Sequence, residues 1–104
     1  MTAYPKINGE HADPSRLLVH DILRREWCYN GFVMSDWGGL NDIVPSILAT
    51  TALEMPRPPL WYGKALLKAG KAEHVFETEH IDPGVRRLLV LLRKTRALIS
   101  EREN

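Results

Sequence analysis

Cysteine is close to absent from this chain. Cys28 stands alone, which excludes an intramolecular disulfide framework and suits a reducing compartment. Beside Trp27 near a helix end, its side chain reads as buried. No apolar run approaches the roughly 18 residues of a membrane span, and no basic segment followed by an apolar one opens the sequence. As written it reads as soluble and without a secretion signal, and its compartment stays open. Excess charge of either sign is missing too: 14 basic residues face 13 acidic ones. That leaves no electrostatic footprint for nucleic acid or an anionic membrane surface, so neither is expected as a partner. No repeat of 20 to 50 residues and no low-complexity tract is present. What remains, 44% hydrophobic and 26% charged over 104 residues, is the composition of one globular domain.

Local pattern gives an alternating order. Met1-Thr2-Ala3-Tyr4 is strand-compatible, Pro5 interrupts regular pairing, and Asn8-Gly9 forms a turn. Asp13-Pro14 is a helix start, an N-cap side chain followed by proline in the first turn. Leu17, Leu18, Ile22 and Leu23 then recur at helical spacing as far as about Trp27. Tyr29-Asn30-Gly31 stops that helix and leads into a short strand at Phe32-Val33-Met34. Asn41 or Asp42 caps a second helix carrying Ile43, Ile47 and Leu48 and ending near Thr50. Ala52-Leu53-Glu54-Met55 reads as a further strand, halted by Pro56-Arg57-Pro58-Pro59. Leu60 to Gly70 reads as a helix with Gly70 as its C-cap, and Asp82-Pro83 starts a last, basic amphipathic helix on Val85, Leu88, Leu89 and Leu92. Strands alternating with helices predict βα units and a parallel sheet.

The stretch that organises the rest is Gly31-Phe32-Val33-Met34-Ser35-Asp36-Trp37-Gly38-Gly39. An unalternating apolar run suits a strand buried on both faces, and it ends abruptly at a carboxylate, an indole and two glycines. A carboxylate there, followed by glycines that let the backbone turn tightly, has the layout of a site at the C-terminal edge of an α/β sheet. Asp36 could equally cap the following helix. The local pattern leaves both open.

Taken together, Met1-Thr2-Ala3-Tyr4, Asn8-Gly9, Asp21-Ile22-Leu23-Arg24, Gly31 through Trp37, Leu53-Glu54-Met55-Pro56, and Ile81-Asp82 with Val85-Arg86-Arg87 closely resemble glycoside hydrolase family 3. These are β-glucosidases and their relatives. The resemblance implies a retaining glycosidase acting on β-glucosides or oligosaccharides without a cofactor or metal. Its nucleophile falls on Asp36, and Trp37, Tyr4 and Met1 fall on substrate-binding positions. It also implies a fold class: α/β, a partial TIM-type (β/α) barrel of about three parallel strands with flanking helices. Residues 1–99 would be the C-terminal portion of that barrel domain, and 100–104 a disordered tail.

A full barrel needs roughly 250 residues, so the resemblance leaves the earlier strands missing, together with the α/β sandwich domain that supplies the acid/base in the family. Those parts are the expected structural partners, and the chain alone is expected to be catalytically incomplete. Glu54, the nearest other strand-end carboxylate, is rejected as the acid/base on the same ground. Two departures stand inside the matched region. Ala49-Thr50-Thr51-Ala52 replaces the family's Ala-Gly-x-Asp, and Pro5 stands where the family often has Asn.

Two other readings are weighed. A small helical interaction module would use the last helix, with Leu88 and Leu92 as its contact face, and leave Asp36 as a cap. His74, Glu77 and His80 could together bind zinc. Their spacing does not put both histidines on one helical face, so no metal site is expected.

Overall fold

The computed structural model describes residues 1–75 and 77–98. The tail expected at 100–104 lies outside them, as does residue 99. The element order is β1 (Lys6–Ile7), β2 (Glu10–His11), α1 (Arg16–Glu26), β3 (Met34–Trp37), α2 (Val44–Leu48), β4 (Leu53–Met55), α3 (Lys64–Ala72), α4 (Glu77–Ile81) and α5 (Asp82–Lys94). Helices α1 and α4 are wound with wide π-type turns, so that the Trp27 N–H reaches back five residues to the Ile22 carbonyl at 2.9 Å.

The Asn8-Gly9 turn forms as expected, both residues taking positive φ, 52° and 84°. It closes an antiparallel hairpin, β1–β2, that pairs Lys6 with His11 and Ile7 with Glu10. Residues 1–4 depart from expectation. They form no strand, and one backbone hydrogen bond, Thr2 N–H to the Met34 carbonyl at 2.9 Å, ties them to the start of β3. The ladder of three parallel strands is thus reduced to a parallel pair, β3–β4.

The central strand is also displaced, from the expected 32–34 to Met34–Trp37. Pairing begins where Ala52 N–H meets the Val33 carbonyl and ends where Gly38 N–H meets the Met55 carbonyl, at 3.0 and 2.8 Å. Between these the register is irregular: Met34 faces Leu53 but Trp37 faces Met55. Ser35 bridges the mismatch. Its hydroxyl accepts from Met55 N–H at 3.0 Å and donates to the Asp36 carbonyl at 2.9 Å.

Val19 of α1, Val33 and Ala49 form the core, with Leu23 packed against them. Ser15 caps α1, its hydroxyl accepting from Leu18 N–H at 3.2 Å. Asp13, expected in that role, is instead buried in the interior. Helix α2 carries Pro45 in its first turn. Gly70, expected as a C-cap, lies inside α3 against Val75, and Glu73 takes the cap position. Cys28 is exposed rather than buried, as are Trp27 and Tyr29 on either side of it.

Helix α5 starts at Asp82-Pro83 as its sequence predicts, and its first turn docks against the α2–β4 connection. A Cβ placed on Gly84 would lie 2.8 Å from the Ala52 Cβ. Gly84→Ala is therefore expected to overpack this contact and lower stability by about 1–3 kcal/mol. Thermal unfolding followed by circular dichroism measures it, and an unchanged midpoint would refute the close approach. Further along α5, Val85, Leu89 and Val90 are about half exposed. The apolar stripe read from the sequence is therefore only partly covered.

Candidate active site

Strand β3 delivers Asp36 and Trp37 at its C-terminal end, where the chain reverses. Gly39 N–H returns to the Asp36 carbonyl at 2.9 Å. Gly38 sits third in this turn at φ +66°, a conformation that side chains with a Cβ resist. One carboxylate oxygen of Asp36, Oδ1, accepts from Trp37 N–H at 2.6 Å, which fixes the direction of the carboxylate at its base.

Tyr4 lies on this turn. Its hydroxyl donates to the Trp37 carbonyl at 2.6 Å, and its ring edge is close enough to Gly39 that a Cβ there would stand 3.1 Å away. Desolvation by packed neighbours, then the adjoining Asp36 carboxylate, push the Tyr4 phenol above its ordinary value. At neutral pH it is a protonated donor beside the carboxylate. Trp37 is 61% and Tyr4 50% exposed, so both present aromatic surface to solvent. The structure thus brings Asp36, Trp37 and Tyr4 together. Met1 is placed elsewhere, lining an apolar cleft with Leu18, Leu23 and Trp27.

The approach to β3 is fixed from below by Arg24. Its Nε donates to Thr50 Oγ1 at 2.9 Å and its Nη1 to the carbonyls of Tyr29 and Gly31, with the guanidinium 5.4 Å from the Tyr29 ring centre. This one side chain ties the turn before the strand to the end of α2.

Two buried carboxylates complete the surroundings, and local pattern assigned neither its part. Glu54 of β4 accepts from the backbone N–H groups of Leu60, Trp61 and Tyr62 at 2.8–3.2 Å. All its close partners are amide donors of one loop, so it organises that loop and is no acid/base candidate. Asp13 accepts from Asn41 N–H at 2.7 Å, Asn41 Nδ2 at 2.8 Å and Ser46 Oγ at 3.1 Å. Tyr62 closes the group with a 2.6 Å bond to the Thr51 carbonyl, and burial, then the charges of Asp13 and Glu54, hold its phenol far above the usual tyrosine range. Among the described residues no group of three or more His, Cys, Asp or Glu is arranged to hold a metal ion, and none of the helices is long and apolar enough to cross a membrane.

The solved structures that resemble this parallel βα arrangement are β-glucosidases. The chain superposes on a glycoside hydrolase family 3 β-glucosidase of Bifidobacterium adolescentis with a TM-score of 0.80 and 37% identity, over 97% of this chain and 14% of that one. On the β-glucosidase of Kluyveromyces marxianus in complex with glucose the TM-score is 0.78 at 37% identity, over 88% and 11%. In sequence it is 45% identical over 91 residues to the probable β-glucosidase I of Neosartorya fischeri, 88% of this chain. It is likewise 45% identical over 95 residues to β-glucosidase B of Emericella nidulans, 90% of this chain. The chain spans about 11% of the length of these curated relatives. No family model matches it. Over most of its length it is therefore similar to one stretch of family 3 β-glucosidases.

Proposed function

We propose that the chain is the nucleophile-bearing C-terminal portion of a family 3 β-glucosidase-type barrel, over residues 1–99, with Asp36 as the nucleophile. Trp37 and Tyr4 offer the aromatic wall for a β-glucosyl residue. The observation that carries this reading is the placement of Asp36 between Tyr4 and Trp37 at the C-terminal end of a parallel strand.

In the retaining reaction one carboxylate attacks the anomeric carbon, and a second carboxyl group about 5–5.5 Å away protonates the departing oxygen. With Oδ1 held by Trp37 N–H, Oδ2 is the attacking oxygen. The resemblance to family 3 implies that the second carboxyl group comes from a part of the protein outside this chain, and Glu54 is engaged by its own loop. Hydrolysis of an ordinary glucoside by the chain alone is therefore negligible for want of proton donation.

An activated substrate removes the need for that acid. With dinitrophenyl 2-deoxy-2-fluoro-β-glucoside the aryloxide leaves unprotonated with its electron pair, and a C–O bond forms between Asp36 Oδ2 and the anomeric carbon. The expected result is a mass increase of one fluoroglucosyl group located on Asp36 and lost in Asp36→Asn. A soluble chain that stays unlabelled at millimolar reagent, or a label that persists in Asp36→Asn, would overturn the assignment. The interaction-module reading has less support: Leu88 and Leu92, its contact residues, are half-buried already, and the similarity to β-glucosidases takes in the Asp36 stretch along with most of the chain.

A further inference from the structure

We infer that Asp13, acting through Asn41, is a positioning residue for Asp36; the inference rests on the reading of Asp36 as the nucleophile. Asp13 lies just before α1, where its sequence context points to a helix cap, yet it is wholly enclosed, with 0% exposure. Two of the three groups that donate to its carboxylate belong to one residue of the loop that follows Asp36.

Asn41 passes this anchoring on. Its side-chain nitrogen donates to Asp13 Oδ1 at 2.8 Å and to the Gly39 carbonyl at 2.7 Å, so both amide hydrogens are committed. Gly39 in turn is wedged against the site. A Cβ on it would stand 3.2 Å from the Asp36 Cβ and 3.1 Å from Tyr4 Cε1, and its N–H bonds the Asp36 carbonyl. A displacement of Gly39 therefore moves both side chains that meet at the carboxylate. Because Asp13 is rooted in the interior by Ser46 and by the Thr51 hydroxyl on its own carbonyl, the turn is referenced to the core and not to the surface it faces.

The test separates positioning from folding by exchanging the two side chains, Asp13→Asn with Asn41→Asp in one protein. Amide and carboxylate still meet, but the side chain at 41 no longer donates to the Gly39 carbonyl. The expected double variant melts within a few degrees of the parent chain. Its Tyr4 and Trp37 NMR signals are displaced, the Trp61 indole signal stays in place, and labelling of Asp36 by the fluoroglucoside slows at least tenfold. Unmoved Tyr4 and Trp37 signals would overturn the inference. Ser46→Ala is the control, since it removes a donor to Asp13 without touching Asn41; equal displacement of Tyr4 and Trp37 in that variant would make Asp13 merely structural and also overturn it. Should the double variant not fold, Gly39→Ala enters the wedge directly, and unmoved signals there count against the inference. Failure of the parent chain to label would refute the nucleophile reading alone, because the NMR signals report on the turn whether or not Asp36 reacts.

Discussion

Asp13→Ala is expected to abolish cooperative folding of the chain. The side chain is fully enclosed, and its removal leaves Asn41 N–H, Asn41 Nδ2 and the Ser46 hydroxyl without the acceptor they share. Each buried donor stranded in this way costs about 1–3 kcal/mol, although Asn41 Nδ2 keeps the Gly39 carbonyl. A loss of about 3–5 kcal/mol overall is comparable to what a core of this size supplies. Far-UV circular dichroism during heating measures it. The expected trace has no sigmoidal transition, and a transition at the parent midpoint would refute this role of Asp13. Asp13→Asn is expected to do less harm, since the amide oxygen can still accept from Asn41 N–H.

The second large effect is expected at Glu54→Ala. Three successive backbone N–H groups, at Leu60, Trp61 and Tyr62, lose the carboxylate that satisfies them. Hydrogen bonds to a charged acceptor contribute about 1.5–3 kcal/mol each when broken one-sidedly. The loop has some access to water, so a net loss of about 2–4 kcal/mol is expected, with Glu54→Gln intermediate because one oxygen remains. Amide hydrogen exchange locates the effect: protection at 60–62 falls first, before that at Val33. Labelling of Asp36 in Glu54→Gln is expected to continue, and its loss would return Glu54 to the catalytic candidates.

These two carboxylates mark where the sequence stopped being legible. The alternation of strand and helix was readable, because apolar spacing and the Asp-Pro and Asn-Gly signals are local, and the parallel β3–β4 pair follows from it. The start of α5 at Asp82-Pro83 was readable for the same reason. Asp13 was misread because Asp-Pro is also a helix-start signal. Its true partners lie 28 and 33 residues away, and the serine two positions on does the capping. The displaced strand has a similar cause. Phe32-Val33-Met34 has the apolar character of a strand, but where pairing runs is decided by the partner strand and by the Ser35 hydroxyl, which no periodicity reveals. Residues 1–4 have strand propensity and only one backbone bond to β3, so propensity there outran pairing. Of the site, the Asp36–Trp37 pair was visible at once as a carboxylate and an indole before two glycines. Tyr4 could be placed beside them only by family resemblance, and Asn41 was read merely as a possible cap.

The Ser35 hydroxyl accepts from Met55 N–H where the register of β3 and β4 shifts, so a side chain takes part in the ladder one step before Asp36. Beyond that point Gly38 N–H closes the pair on the Met55 carbonyl, while before it Val33 is anchored in the core. The end of the strand that carries Asp36 is thus tied to Met55 through Ser35 and Gly38 and to the buried Asp13 through Asn41, so a change that loosens the interior is felt at the carboxylate.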